Sequence, residues 1–317
     1  MHIVVAETIA EAGLAHLGEH GTVDLAIGLS VEDLMARLAD ADALIVRSAT
    51  KVDAAMMAAA PHLRVVGRAG IGVDNIDLDA ATAAGVVVVN APQANAISAA
   101  EHTMALLLSQ ARRIPEADRA LRGGSWERER FRGVELYGKT LGIVGLGRIG
   151  TLVAQRAAAF GMTVLAYDPY VGADRTRRLG VEPRERLLDL MAEADFVTVH
   201  LPRTRETEGL IGAEALAAAK PGIRIVNTSR GGVVDEAALA AAITAGTVAG
   251  AALDVFSTEP MTESPLFEMS EVVVTPHLGA STVEAQDKAG VSVAEAVVAA
   301  LKGALVPSAV NIDVGTG

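Results

Sequence analysis

Gly145-Leu146-Gly147-Arg148-Ile149-Gly150 follows the apolar, β-branched run Leu141–Val144 and opens an Ala-rich helical stretch that reaches about Phe160. Between a strand and a helix, three glycines at this spacing have separate jobs. The first makes the tight turn, the second lets backbone approach a pyrophosphate, and the third permits close helix packing, with the phosphates at the positive helix N-terminus. Alone the hexapeptide is a weak signal, since a tight structural turn also suits it. Asp168 strengthens the reading, because it ends the next strand, where a carboxylate can accept bonds from ribose hydroxyls. A 2'-phosphate beside Asp168 would meet a like charge, and no Arg follows in Asp168-Pro169-Tyr170. The expected cofactor is therefore NAD rather than NADP, held by Gly145, Gly147, Arg148, Ile149, Gly150 and Asp168.

Working outward from this loop, short β-branched runs alternate with Ala/Leu-rich helical stretches almost end to end, the pattern of parallel sheets with crossover helices. The fold class is α/β. Strands of the series containing the loop are expected at Thr140–Val144, Thr163–Tyr167, Phe196–Val199, Arg224–Asn227, Gly250–Asp254 and Val272–Thr275, enough for a six-stranded nucleotide fold. An earlier, smaller series is expected at Ile3–Val5, Leu44–Val46, Val65–Val66 and Val86–Val89, with helical patterns such as Val31–Leu38 between. Ala96–Arg113 has helical spacing, whereas Arg119–Lys139 is polar, basic and Gly-rich and reads as an extended connecting arm. Thr282–Lys302 reads as a last helix, leading through Pro307 to a tail with Val310 and Ile312 that is expected to return to the first domain.

Composition narrows the function. A chain of 317 residues exceeds the usual size of one core, so two domains are expected. With 51% apolar and 21% charged residues it is globular, and with aromatics at 3% the core must be Ala, Val and Leu. A net charge of −12 argues against a nucleic-acid or anionic-membrane partner, which would need a broad basic face. The absence of cysteine removes disulfides, thiolate metal sites and thiol nucleophiles. Neither a secretory signal nor a membrane span of roughly 18 apolar residues is legible, so the expected location is cytoplasmic. His2, His16, His20, His62 and His102 read as structural. No His/Asp/Glu cluster is expected to have metal-ligand spacing, and no metal is expected.

Arg230, Glu259 and His277 each come just after an expected strand of the larger series, at the sheet end where open α/β folds gather their ligands. A hydroxy-acid dehydrogenase needs a group to take the hydroxyl proton, a cation for the substrate carboxylate, and an acid to orient and charge the base. An imidazole exchanges protons near neutrality, a neighbouring carboxylate favours its protonated form, and arginine grips a carboxylate with two prongs. Each residue taken singly also has a plainer reading: Arg230 in a solvated turn, Glu259 a loop acid before Pro260, His277 a packed loop histidine.

The segments Asn227–Glu236 (NTSRGGVVDE), Ala252–Phe256 with Glu259-Pro260, and Thr275–Thr282 (TPHLGAST) resemble signatures of the D-isomer-specific 2-hydroxyacid dehydrogenases. That resemblance implies two Rossmann-like domains, a doubly wound parallel-sheet NAD-binding domain (95–284) inserted in a smaller flavodoxin-like substrate-binding domain (1–94 and 285–317). It implies that Arg230 binds the substrate carboxylate and carbonyl, Glu259 pairs with His277, and His277 is the acid/base. It also implies that Asp254, Thr228, Ser229 and His277 lie by the nicotinamide, and that His200 and Pro202 lie beside the adenosine.

Within the family, Val46–Val52, Gly67–Asn75, Ala91-Pro92 through Asn95, Ser98–His102 and Trp126–Arg128 are similar to members that act on D-3-phosphoglycerate. The likeness implies that Arg47 and Arg68 lie near a substrate phosphate, where paired guanidinium groups suit a dianion. It implies that Gly70, Ile71 and Gly72 offer backbone donors to the carboxylate, and that Asn95 also lines the substrate site. The alternative, two ordinary surface arginines, stays open.

The expected reaction is NAD-dependent oxidation of D-3-phosphoglycerate to 3-phosphohydroxypyruvate, the first step of phosphorylated serine biosynthesis. An alternative substrate, glyoxylate or hydroxypyruvate, would use the same Arg230, Glu259 and His277. A further alternative is a transcriptional corepressor, which would bind NAD and protein partners without turnover. Long members carry C-terminal domains that sense serine, whereas this chain stops shortly after Val310-Asn311-Ile312, so serine feedback is not expected. The basic arm around Arg119–Arg132, with the single Trp126, is expected to embrace a second copy in a homodimer.

Overall fold

Buried β-branched runs cannot leave their backbone groups unpaired, and here they resolve the problem as parallel sheets joined by helices. The computed structural model describes residues 1–311. They divide into two units, Met1–Asn95 with the described part of Ala280–Gly317, and Ala96–Gly279. The second crossing thus falls at 279/280, ahead of the 284/285 expected, because the whole last helix belongs with the first unit's strands. Ile312 and the tail after it, part of the expected 285–317 segment, lie outside the described residues.

The first unit holds β1 (His2–Val5), β2 (Thr22–Leu25), β3 (Ala43–Val46), β4 (Val65–Arg68) and β5 (Val87–Asn90). All pair in parallel in the order β2-β1-β3-β4-β5, the flavodoxin-like arrangement. β2 was absent from the sequence expectation. Its residues Thr22-Val23-Asp24-Leu25 form an edge with no buried position, so no apolar run announces it. The helix Val283–Leu301, N-capped by Thr282 whose hydroxyl accepts from the Ala285 N–H at 3.1 Å, lies tightly on β4. A Cβ added to Gly67 would come within 2.5 Å of Val297 Cγ2 and 2.8 Å of Val293 Cγ2. The helix Glu11–Gly18 crosses the last helix just as closely, since a Cβ on Gly13 would stand 2.6 Å from the Gly290 carbonyl oxygen. The tail does return to this unit: Val310 N–H donates to Val88 O at 2.9 Å, and the Asn311 amide bonds Val86 O and Val88 N–H at 2.8 Å each.

The second unit holds β6 (Thr140–Val144), β7 (Thr163–Tyr167), β8 (Glu182–Pro183), β9 (Phe196–Val199), β10 (Ile223–Asn227), β11 (Val248–Leu253) and β12 (Val272–Val274). The order β12-β11-β10-β9-β6-β7-β8 is parallel throughout. Counted from β6, it is the 3-2-1-4-5-6 order of dinucleotide folds with one strand added beyond the sixth. Seven strands form rather than six because the two-residue β8 pairs at an edge, too short to carry a hydrophobic period.

The helix Ala96–Ala111 buries most of one face, but the next, Ile114–Arg122, buries nothing. Where the sequence suggested an extended arm from Arg119, the chain stays helical to Arg122. Pro115 suits the first turn of that helix, and the Asp118–Arg122 pair at 2.9 Å joins positions one turn apart. A 3₁₀ turn, Arg128–Phe131, follows. Among the described residues no helix is long and apolar enough to cross a membrane.

Candidate active site

In the second unit the strand ends gather two groups of polar residues. The first surrounds the loop after β6. Gly145 adopts φ +97°, a left-handed conformation that favours glycine, and a Cβ there would stand 2.6 Å from the His200 carbonyl oxygen. At Gly150 a Cβ would collide with the Gly145 carbonyl, which explains the third glycine by helix-to-loop contact alone. Gly147 differs, since a Cβ there would meet nothing within 4 Å. The protein does not demand glycine at that position, whereas backbone approach by a pyrophosphate would.

Arg148 is exposed and Ile149 half-buried in the helix Arg148–Ala159, whose N-cap Gly147 has no side chain to occupy the first N–H groups. Asp168 follows β7 and accepts from Leu146 N–H at 2.8 Å and Tyr170 N–H at 2.9 Å. Its carboxylate is thereby fixed against the glycine loop, beside a cavity lined by Tyr167, Pro169, Val171 and Arg184. These features fit a dinucleotide. His200, at the end of β9, bonds Thr198 at 3.1 Å, and packing pushes its imidazole down to about 3. Pro202 is exposed beyond it.

The second group follows β10, β11 and β12. Asn227 accepts at Oδ1 from Ser229 N–H (3.1 Å) and hydroxyl (2.9 Å), and donates from Nδ2 to Arg230 O at 2.9 Å. This folds the Thr228–Arg230 turn on itself, and Thr228 bonds Thr103 at 2.7 Å. A Cβ on Gly231 would overlap the Phe256 carbonyl, so the Arg230 turn lies directly against the loop after β11. In that loop Glu259 accepts from Phe256 N–H at 3.0 Å with one oxygen and meets His277 Nδ1 at 2.6 Å with the other. Burial opposes ionisation of Glu259, but the bonds from His277 and Phe256, with the nearby charges of His277 and Arg230, hold its carboxyl below the ordinary range. An ionised carboxylate only accepts, so Nδ1 carries the proton and Nε2 is left for chemistry. Both side chains keep solvent access, 45% for His277 and 35% for Glu259.

Arg230, Glu259 and His277 were expected together from their places after strands and from the motifs that carry the family resemblance, and the structure does bring the three together. Asp254, expected by a nicotinamide, anchors the loop after β12. It is fully buried, and it accepts from the Thr275 hydroxyl (2.5 Å), Leu278 N–H (2.7 Å) and Gly279 N–H (2.8 Å), with His102 Nε2 at 3.1 Å. Its main-chain oxygen accepts from His277 N–H at 2.8 Å. Burial alone would raise this carboxyl, yet the donors from His102, Thr275 and Leu278 hold it low. His277 itself is at φ +54°, a left-handed conformation costly for a residue with a Cβ. The ring of bonds around Asp254 maintains it.

Sequence reading gave His102 a structural role and did not connect it to this loop. The available signal was Ala99, His102 and Thr103 on one face of a helix, two of them polar where the stripe should be apolar. The expectation that no His/Asp/Glu cluster has metal-ligand spacing is also corrected. His16, Glu19 and His20 bring one ligand atom each to within 4.8 Å of one another, because Glu19 keeps right-handed helical dihedrals past Gly18 and the three positions share one flank.

In the first unit the remaining expected residues lie at the ends of β3, β4 and β5. Glu7 accepts from Arg47 N–H (2.8 Å), Thr50 N–H (2.9 Å) and Ala49 N–H (3.2 Å), and these donors outweigh burial and keep its carboxyl low. Asn75 donates to Arg47 O and Thr50 O at 2.8 and 2.6 Å, so the Arg47 loop is fixed from both sides. A Cβ on Gly70 would collide with the Arg68 guanidinium, which therefore lies across the Gly70 backbone. Asn90 donates to Ile71 O at 2.7 Å, next to Gly72. The buried side-chain oxygen of Asn95 has no partner among the described residues.

Comparison with known proteins gives this geometry a context. Residues 104–279 match the profile described as D-isomer specific 2-hydroxyacid dehydrogenase, NAD binding domain. The chain is 59% identical over 313 residues to a D-3-phosphoglycerate dehydrogenase of Mycobacterium tuberculosis strain H37Rv, covering 99% of this chain and 59% of that protein. It is 50% identical over 317 residues to the protein of that name from Archaeoglobus fulgidus, covering 98% of this chain and 59% of the relative. The chain thus spans about three fifths of the length of these curated relatives. Among solved structures, a Thermus thermophilus protein superposes with TM-score 0.89 at 36% identity, covering 98% of this chain and 100% of that one. A glyoxylate reductase from Paecilomyes thermophila superposes with TM-score 0.86 at 29% identity, covering 96% and 97%.

Proposed function

Because the chain belongs to the D-isomer specific 2-hydroxyacid dehydrogenase family and carries its NAD-binding domain, we propose that it oxidises D-3-phosphoglycerate to 3-phosphohydroxypyruvate. The observation that carries the chemistry is the 2.6 Å contact of His277 Nδ1 with Glu259, on a loop that lies against the Arg230 turn. NAD, when bound, supplies the acceptor for the hydride leaving C2. His277 Nε2 takes the hydroxyl proton as the carbonyl forms, and Glu259 stabilises the resulting imidazolium. Arg230 holds the substrate carboxylate. Thr228, Ser229 and Asp254 shape the nicotinamide end, and His200 and Pro202 the adenosine end. The substrate assignment rests on the 59% identity to proteins named for it, with Arg47 and Arg68 as the phosphate ligands and Gly70, Ile71, Gly72 and Asn95 completing the substrate contacts.

The test is steady-state turnover with NAD on D-3-phosphoglycerate and D-glycerate, before and after Arg68→Ala. Charge-assisted bonds are worth roughly 1.5–3 kcal/mol, so efficiency toward the phosphorylated acid should fall about 10- to 150-fold. D-Glycerate should hardly respond. Equal losses on both acids, or a wild type that prefers glyoxylate or hydroxypyruvate, would overturn the phosphate assignment. Tight NAD binding without turnover of any acid would instead favour a corepressor-like role.

The same reading makes the protein a cytoplasmic homodimer in serine biosynthesis. Support for the dimer comes from the segment after Ala111, where Ile114, Leu121, Trp126 and Tyr137 are exposed, Trp126 by 77% and Tyr137 by 79%. Aromatic side chains of this kind are typical of interface cores. A sedimentation mass of one chain at micromolar concentration would contradict it.

A further inference from the structure

We propose that His16, Glu19 and His20 form a surface binding site for a borderline-soft divalent cation, Zn²⁺ by preference. The site lies in the first unit, beside the turn where Thr22 N–H donates to Met1 O, at the opposite end of β1 from Glu7 and the Arg47 loop. Two imidazole nitrogens and one carboxylate oxygen approach within 4.8 Å of one another, and the rings stand edge to face with centroids 5.0 Å apart. Donors bound tetrahedrally at about 2.0–2.1 Å from zinc are roughly 3.4 Å apart, so a small rotation of exposed side chains closes the gap. Glu19 is exposed and both histidines are half-buried, which leaves that rotation open while keeping the imidazoles near their present places.

Three features favour a cation here. His16, Glu19 and His20 are spaced i, i+3, i+4, so all three reach one flank of the chain. They sit at the C-terminal end of the helix Glu11–Gly18, the negative end of its dipole. The donor set of two nitrogens and one oxygen suits zinc better than magnesium or calcium, which prefer oxygen alone, and it leaves a fourth position for water. With an exposed carboxylate and no proposed catalytic residue among its ligands, the cation is structural. It would join the last turn of the helix to the turn, closed by His20 and Gly21 N–H to Leu17 O at 2.9 and 3.0 Å, that leads into β2. Since that helix crosses the last helix at Gly13 and Gly290, the cation would stabilise the contact that closes the first unit.

The experiment is titration of the tag-free protein with ZnCl₂ by calorimetry, beside the double variant His16→Ala/His20→Ala. Wild type should bind one equivalent more than the variant, because any zinc taken by His277 and Glu259 is common to both. Zinc should raise the thermal midpoint of wild type by more than it raises that of the double variant. A second variant, Glu19→Gln, changes an exposed side chain and tests the site if the double variant folds poorly: it should weaken the same equivalent without loss of fold. Identical stoichiometry and affinity in wild type, the double variant and Glu19→Gln would overturn the proposal.

Discussion

At the residue scale, the site depends on one carboxylate that faces the chemistry and one that never meets it. Glu259 is held ionised below the ordinary range, against burial, by the bonds from His277 and Phe256. Glu259→Gln keeps the shape but removes the anion that faces the Nδ1–H and stabilises the imidazolium formed as the hydroxyl proton is taken. kcat should fall while the Kd for NAD changes little. An unchanged kcat would dissociate the pair. Asp254 is the other carboxylate, and His102 is its most distant donor along the chain. Replacing His102 by Leu removes a bond to a charged group, so kcat should fall about tenfold or more while the Kd for NAD changes little. Partial rescue by His102→Gln would separate positioning from packing. Arg230, Glu259 and His277 each lie just past a strand end, which left plainer readings open, and the motifs around them, NTSRGGVVDE, Glu259-Pro260 and TPHLGAST, made them legible in sequence. His102 was not, since its partners Thr275 and Asp254 come from β-strand ends far along the chain, and no local spacing records such a bond.

At the scale of elements, the glycine loop was the most readable part of the molecule, because its strand, turn, helix and following acid each obey a local rule. The structure adds that Asp168 closes the loop by accepting from Leu146 and Tyr170. Asp168→Ala should therefore act twice, loosening the loop and removing the like charge opposed to a 2'-phosphate. Efficiency with NAD should drop, and the preference for NAD over NADP should narrow. A preference ratio identical to wild type would remove Asp168 from cofactor choice. β2 and β8 were missed for a different reason. Edge strands bury little, so their residues are chosen for solvent, and hydrophobic period cannot find them. The helix at Ile114–Arg122 hid similarly behind its polar composition.

At the scale of the whole molecule, the acid side of the stability curve follows from groups that folding keeps unprotonated. His200 is pushed down to about 3, whereas an unfolded histidine takes up a proton below about 6.5. Its contribution is complete above that pH and is lost progressively as pH falls toward 3. Glu7 and Asp254, both held low, add stability that is complete above the ordinary carboxylate range and fades as acid protonates them. Denaturant midpoints should thus start to fall below about pH 6.5, before any carboxylate titrates. In His200→Gln the decline should be flatter between pH 6.5 and 5. The same slope in variant and wild type would place the early loss elsewhere.

The first unit is closed by a helix that the ribosome delivers late. β1 to β5 are made before residue 96, yet Gly67 in β4 is shaped to receive Val293 and Val297 from beyond residue 280. During synthesis that sheet face must wait, apolar and uncovered, while the continuous segment Ala96–Gly279 emerges and can complete its own core. The nascent chain is therefore most exposed to wrong partners along β1 to β5. Slow translation between Gly279 and Leu301 would lengthen that exposure, and holdase chaperones should bind the early segment until the last helix arrives.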